Sequence, residues 1–137
     1  MNRYMLDTKL CVELLRGRGR AGAQRLKSRG LDSICVSVIT LAELLHGAFK
    51  SSDASKNEGS VVDFCAAMEV LPFNDIAAAR YGRLRAELER SGRSIGPLDT
   101  LIVSHALAVD ATLVTSNERE FRRVVGLRVE NWLAPPR

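Results

Sequence analysis

The fold of this chain is decided by residues 94–115, SIGPLDTLIVSHALAVDATLVT. The first half carries an apolar-rich run at helical spacing from Thr100 to Val109, with Pro97 just ahead of it. The second half ends in ATLVT, a short run rich in β-branched residues that favours a strand. The stretch therefore predicts a helix over 98–109 and a strand over 111–115, with an acidic residue, Asp99, at the start of the helix.

The same alternation of strand and helix continues along the rest of the chain. Short apolar or β-branched runs predict strands at 3–6, 34–38, 68–73 and 127–131. Apolar residues at helical spacing predict helices at 9–17, 21–29, 39–50, 61–68, 75–92 and 118–124. Asp75 is the predicted N-cap of the helix at 75–92, and the polar residues 51–60 are predicted to form a loop. This alternation indicates an α/β sandwich around a central, mostly parallel sheet.

Length and composition limit the class of protein. A chain of 137 residues with 46% hydrophobic and 26% charged residues fits one globular domain, expected to span 1–137. No uncharged stretch approaches the roughly 18 residues that cross a bilayer, and Asp7 interrupts the segment where a secretory signal would be apolar. We expect a cytoplasmic protein with no membrane partner and with three buried thiols. The net charge of +4 permits a polyanionic partner without requiring one.

Acidic and amide residues follow the predicted strands. Asp7 ends the first strand, Glu43 lies in the helix after the second, and Asp99 begins the helix that leads into 111–115. Asn117 and Glu120 come just after that last strand. Open parallel sheets bind their ligands at the edge formed by the carboxyl ends of their strands. We therefore expect these residues to converge on one site.

Each acid also has a purely structural interpretation. Asp7 is suited to cap the helix that follows it, and the sequence TLAE, from Thr40 to Glu43, has the form of a capping box. Asp99 follows Pro97 in a first turn, where its charge suits the helix dipole. The functional interpretation is favoured because all three elements begin at the same edge of the sheet.

A cluster of three carboxylates implies a bound cation. Converging carboxylates repel one another, so the cluster persists only if a positive ion offsets their charge. Hard oxygen ligands select Mg²⁺ or Mn²⁺. Such an ion lowers the pKa of a bound water and neutralises charge at a phosphodiester, and together these effects are the chemistry of a nuclease.

Four separated segments resemble the signature segments of one protein family. YMLDTKLCVELL, SVITLAELLHG, GRSIGPLDTLIVSHALAVDATLVTSNEREF and LRVENW are similar, in order and over essentially the whole chain, to PIN-domain ribonucleases of the VapC toxin type. The resemblance implies a PIN-like α/β/α sandwich and Mg²⁺- or Mn²⁺-dependent endonucleolytic cleavage of RNA, either tRNA or rRNA. It also implies a homodimer and a cognate VapB-type antitoxin that binds DNA.

The resemblance assigns roles to individual residues. By motif position the acidic quartet of the family falls on Asp7, Glu43, Asp99 and the segment TSNEREF at 115–121. In that segment Asn117 stands where many PIN domains have an acid, and Glu120 is the nearest family-like carboxylate. The implied roles are metal binding for Asp7 and Asp99, metal binding or positioning of the attacking water for Glu43, and supporting hydrogen bonds for Thr8, Ser116 and Asn117.

One residue departs from the family pattern. The family commonly has Asp-Thr-Asn where this chain has Asp7-Thr8-Lys9, so a cation replaces a neutral amide beside the expected site. Lys9 pairs with a carboxylate, contacts a substrate phosphate or weakens metal binding, and the sequence leaves these three roles open. The alternative function is therefore a catalytically weakened PIN-fold module that binds RNA or an antitoxin.

The two histidines have no place in this chemistry. His105, on the apolar helix, is predicted to be a packed or surface residue rather than a base. Glu43 and His46 have the Glu-x-x-His spacing of carboxylate-bridged metal helices, but such sites use two copies and the chain has one.

Overall fold

Five short strands form one sheet. A computed structural model describes residues 3–133, so the expected domain, 1–137, extends beyond the described residues at both ends. The strands are β1 (Tyr4–Leu6), β2 (Ile34–Ser37), β3 (Glu69–Leu71), β4 (Thr112–Val114) and β5 (Val129–Glu130). Their order is β3-β2-β1-β4-β5 and every neighbouring pair is parallel. The expected mostly parallel sheet is confirmed, and the direction of strand addition reverses between β1 and β4.

Helices cover both faces of this sheet. In the described part of the chain they are α1 (Thr8–Leu15), α2 (Arg20–Arg29), α3 (Val38–Phe49), α4 (Ala54–Ala66), α5 (Asp75–Arg90), α6 (Pro97–Ala108) and α7 (Glu118–Phe121), with a short 3-10 turn at Leu31–Ser33. Each follows or precedes a strand as the sequence predicts, so the α/β sandwich is confirmed.

The core lies in two layers because strand side chains alternate between the faces of the sheet. Tyr4 and Leu6 of β1 pack in one layer, against α1, α3 and α4, whereas Met5 packs in the other, against α5 and α6. In α6, six of twelve residues are buried, which accounts for the apolar character of 94–115. None of the helices in the described range combines the length and apolar character that a bilayer crossing requires.

The predicted loop at 51–60 holds only for residues 51–53 and is wrong from Ala54 onward. Asp53 caps a helix there by accepting the backbone N–H of Lys56 at 3.4 Å, and α4 begins at Ala54. The helix buries only a narrow stripe that includes Val61 and Cys65, so its exposed first half is polar and resembles a loop in sequence.

The predicted N-cap at Asp75 is wrong, and the alternative interpretation of Thr40–Glu43 as a capping box does not hold either. Asn74, and not Asp75, caps α5, because Asn74 Oδ1 accepts the N–H of Ala77 at 3.0 Å. Ser37 caps α3 through its bond from the N–H of Ile39, so the capping box that begins at Thr40 does not form. These corrections leave Glu43 in the interior of α3, where its carboxylate is available to other partners.

The cysteines match their prediction. Cys11, Cys35 and Cys65 are buried and free. Burial raises the pKa of the Cys35 thiol to about 12, so it is not a nucleophile at neutral pH.

Candidate active site

The acidic residues lie where the strand order reverses. Leu6 at the end of β1 lies opposite Val114 at the end of β4. The next residues along the chain are Asp7 and Thr115, and the N–H of Asp7 donates to the carbonyl of Val114 at 3.0 Å. A crevice at such a position is where open parallel sheets bind ligands.

Asp7 is held firmly in this crevice. It is the N-cap of α1, with Oδ1 accepting the N–H of Leu10 at 2.8 Å. Burial, with only 4% of the residue exposed, raises the pKa of Asp7, and the charge of Glu43 adds to the increase. Hydrogen bonds from Thr115 and Leu10 and the charge of Lys9 lower it in part. Asp7 is therefore both a structural cap and a member of the carboxylate group.

Thr115 is a site residue that sequence reasoning missed. It is fully buried, its hydroxyl is hydrogen-bonded to the Asp7 carboxylate, and its Oγ1 accepts the N–H of Asn117 at 2.9 Å. One side chain thus joins Asp7 to the loop that leads to Glu120. The available signal was its position at the end of the predicted strand 111–115, at the edge of the sheet where the acids were expected to converge.

Thr115→Val is expected to reduce both stability and RNA cleavage. Valine leaves the half-buried N–H of Asn117 without its acceptor and the buried Asp7 without a donor, at a cost of about 1–3 kcal/mol in the free energy of unfolding. Urea denaturation and a cleavage assay measure the two losses. Thr112→Val is the matched control, since Thr112 is also buried on this strand but bonds Arg128, at 3.3 Å. Equal losses of cleavage in both variants would contradict the assigned contact.

Glu43 enters the crevice from α3. Thr8 Oγ1 donates to Glu43 Oε1 at 2.8 Å and lies 3.1 Å from Thr40 Oγ1. Because Thr8 directly follows Asp7 in the chain, this bond connects the Glu43 carboxylate to the start of α1. The structure thus places Thr8 where it orients Glu43.

Asp99 lies in the first turn of α6, two residues after Pro97. Burial, followed by the negative charges of Glu120, Asp7 and Glu43, raises the pKa of Asp99 from 3.8 to about 6. Charges interact in this way only when the groups lie near one another. The fold therefore brings together four carboxylates whose residues are as far apart in sequence as Asp7 and Glu120.

Asn117 and Glu120 have different positions in this group. Asn117 precedes α7, and its Nδ2 donates to Glu120 Oε2 within the first turn. The charge of Glu120 acts on Asp99. Glu120 therefore supplies the fourth carboxylate, and Asn117 orients it.

The residue types present fit a hard divalent cation. Besides the four carboxylates, Ser116 Oγ is buried and has no hydrogen-bond partner among residues 3–133. A buried unpartnered hydroxyl is rare and indicates a position for a water or an ion. Carboxylate and hydroxyl oxygens are the donors that Mg²⁺ and Mn²⁺ take.

The acids are not preassembled around an ion. Within residues 3–133, no three His, Cys, Asp or Glu side chains are already arranged to hold a metal. Asp7 accepts from Leu10, Glu43 from Thr8 and Glu120 from Asn117. Binding an ion therefore requires these carboxylates to turn from protein donors towards a common point.

Lys9 lies at the rim of the crevice. Its side chain is exposed, and the ion pairs found among residues 3–133 do not include it. Its positive charge acts on Asp7. Pairing with a carboxylate, one of the three roles left open for Lys9, is therefore not observed. His46 is exposed on α3, whereas His105 is buried, as the packed interpretation predicted.

Comparisons with known proteins agree with this fold. The model of the PIN domain family matches residues 4–127. The chain is 38% identical over 132 residues to the tRNA(fMet)-specific endonuclease VapC of Shigella flexneri, covering 96% of this chain and 99% of that protein. It is 40% identical over 130 residues to the ribonuclease VapC2 of Rickettsia felis, covering 94% of this chain and 97% of that protein.

The similarity extends to solved structures. The crystal structure of DNA-bound VapBC from Salmonella typhimurium matches with a TM-score of 0.92 and 38% identity, covering 96% of this chain and 99% of that one. Sequence and fold therefore agree, and the chain belongs to the PIN-domain family, within its VapC branch.

Proposed function

We propose that the chain is an endoribonuclease toxin of a type II toxin–antitoxin system that cleaves tRNA or rRNA with Mg²⁺ or Mn²⁺. The observation that carries the proposal is the group of four interacting carboxylates at the reversal point of the sheet. The names of the relatives, an endonuclease and a ribonuclease matched over nearly their whole length, support nuclease activity.

Each residue of the site has a defined task in this reaction. Asp7, Asp99 and Glu43 would hold the ion, which supplies activation of water and neutralisation of phosphate charge. Thr115 and Leu10 keep Asp7 in place, and Thr8 keeps Glu43 facing the crevice. Glu43 is also suited to position the attacking water. At neutral pH Asp99 is mostly ionised, since its pKa is about 6.

The partners follow from the same proposal. The Salmonella structure is a VapBC complex bound to DNA, which supports a VapB-type antitoxin as the partner of this chain. Free, buried cysteines agree with a reducing cytoplasm. A homodimer belongs to the same proposal, as the family resemblance implies. Light scattering of the purified chain measures its oligomeric state.

The function is tested with antitoxin-free protein on total tRNA and rRNA. We expect discrete cuts with Mg²⁺ or Mn²⁺ that disappear with a chelator and in an Asp7→Asn variant. A folded wild-type protein that leaves both RNAs intact at saturating Mn²⁺, and binds the ion weakly, would instead support the catalytically weakened binding module.

Lys9→Asn is expected to strengthen Mn²⁺ binding. The substitution restores the family residue and removes a positive charge beside Asp7, so the dissociation constant should fall about threefold, a small effect because the side chain is exposed. Isothermal titration calorimetry measures it. Lys50→Asn, which removes an exposed charge at the far end of α3, is the control and should change little. If Lys9→Asn leaves the Mn²⁺ affinity unchanged, contact with a substrate phosphate is the remaining role for Lys9.

A further inference from the structure

A buried serine–histidine hydrogen bond joins the two helices that carry Glu43 and Asp99. Ser37 Oγ lies 2.7 Å from His105 Nδ1, and both residues are at most 1% exposed. The imidazole also bonds the backbone of Pro72, and the ring of Phe73 meets its edge at a centroid distance of 5.4 Å. The histidine thus contacts the end of β2 and the β3–α5 connection from its place on α6.

The proton positions in this network follow from the donors present. Ser37 Oγ accepts the N–H of Ile39 at 3.1 Å as the cap of α3, which leaves its own proton for His105 Nδ1. The other ring nitrogen then carries the proton that is donated to the Pro72 carbonyl. Burial lowers the pKa of His105, so the imidazole is a neutral bridge at physiological pH.

Apolar packing between the two helices is limited: Ile39, in the first turn of α3, packs against the cluster that contains Ile102 of α6. Leu44 and Ala48 of α3 are buried on one face of the sheet, whereas Ile102 and Val103 of α6 are buried on the other. The bond between Ser37 and His105 connects the two helices directly, at the carboxyl end of β2.

The acids lie at matching positions along these helices. Glu43 is six residues after Ser37, and Asp99 is six residues before His105. Six residues span roughly 9 Å of helix axis, so a shift at the bond moves each helix, and its carboxylate, as a rigid unit. Glu43 and Asp99 are close enough for their charges to interact.

We propose that Ser37 and His105 are positioning residues of the nuclease site, and that their hydrogen bond sets the separation of the Glu43 and Asp99 carboxylates. This inference rests on the function proposed above. The competing interpretation is a hydrogen-bonded core pair that contributes to stability alone. The two interpretations make different predictions for variants that remain folded. A positioning role predicts that their metal affinity and kcat change, whereas a role in stability alone predicts that they do not.

The test uses the full chain and the variants His105→Phe, Ser37→Ala and the double variant. We measure Mn²⁺ binding by calorimetry, and kcat and KM for tRNA, at temperatures where each variant is folded. In His105→Phe we expect kcat to fall about tenfold and the Mn²⁺ dissociation constant to rise about tenfold, with KM for RNA unchanged. In kcat and Mn²⁺ affinity the double variant should be no worse than the worse single variant, because both single variants remove the same bond between Ser37 and His105. Its stability should fall further, since Ser37 also caps α3 and His105 also bonds Pro72.

Val103→Ala is the matched control, since Val103 is equally buried on α6 but takes no part in the bond. It should lose stability and keep wild-type kcat and Mn²⁺ affinity. Wild-type values in folded His105→Phe, or equal losses in Val103→Ala, would overturn the positioning role. If the wild type binds Mn²⁺ but does not cleave RNA, the proposed function fails. The Mn²⁺ dissociation constants of the wild type, His105→Phe and Val103→Ala then decide by themselves whether Ser37 and His105 are positioning residues. A wild-type protein that neither binds Mn²⁺ nor cleaves RNA overturns both the proposed function and the positioning role.

Discussion

Replacing Asp99 with Asn is expected to abolish RNA cleavage and to stabilise the metal-free protein. The carboxylate is needed as a charged oxygen ligand, and the amide is a poor substitute. The same charge is costly without the ion, because burial and the charges of Glu120, Asp7 and Glu43 raise the pKa of Asp99 to about 6. A shift of about two pKa units corresponds to roughly 3 kcal/mol, and solvent screening of this partly exposed group reduces it to about 1.5 kcal/mol.

The pH dependence of this effect has a definite sign. Because the pKa of Asp99 is higher in the folded than in the unfolded protein, folding binds a proton between the two values of 3.8 and about 6. The contribution of Asp99 to stability therefore falls as pH rises through that range and stays low above it. Asn does not titrate, so the stability gain of Asp99→Asn should be present at about pH 8 and absent at about pH 3, below both pKa values.

Urea denaturation with a chelator at several pH values measures this gain. Asp75→Asn is the control, because Asp75 also lies in a first helical turn but is exposed on α5. It should lose slight stability through the helix dipole and retain cleavage. An Asp99→Asn variant that is less stable than the wild type at high pH, or that still cleaves RNA, would contradict the placement of Asp99 among the carboxylates.

Asp7→Asn and Asp7→Ala are expected to abolish cleavage equally and to differ in stability. Both remove the charged ligand. Asn keeps a side-chain oxygen for the N–H of Leu10 and is as good an N-cap as Asp, so α1 stays capped. Ala leaves that N–H and the hydroxyl of Thr115 without their acceptor and should cost about 1–2 kcal/mol more.

Thermal and urea denaturation of the two variants, together with cleavage assays, separate the structural role of Asp7 from its chemical role. Asp53→Ala is the matched control, because Asp53 caps α4 away from the carboxylate group. It should lose stability through its cap and keep full activity. Residual cleavage by Asp7→Asn, or equal stability of the two Asp7 variants, would mean that the two roles of this residue are assigned wrongly.

Much of the architecture was predictable because it depends on local patterns. β1, β2 and β4 are apolar runs buried on both faces, and α6 follows Pro97 as a long apolar helix. The sequence-based predictions failed where the hydrophobic periodicity is weak. The first half of α4 is polar because it faces solvent, and its cap at Asp53 is the only local sign of a helix within the predicted loop.

The site was predictable in its acids and in the supports Thr8 and Asn117, which lie beside them in sequence, but not in the supports that are distant in sequence. Asp7, Glu43 and Asp99 follow from their places after strands or at helix starts. Thr115 acts on a residue more than a hundred positions earlier, and Ser37 meets His105 across 68 positions. Such pairs depend on which strands are neighbours, and local spacing carries no information on that.

The sequence by itself determined the order of strands and helices, the edge at which the acids collect and the hard-oxygen chemistry they share. Only the tertiary structure decided which hydrogen bonds hold the carboxylates and that burial raises the pKa of Asp7 and of Asp99. The physical reason is that hydrophobic periodicity is local, whereas the ionisation of Asp99 depends on its burial and on the charges of Glu120, Asp7 and Glu43, which parallel strand pairing brings to one crevice.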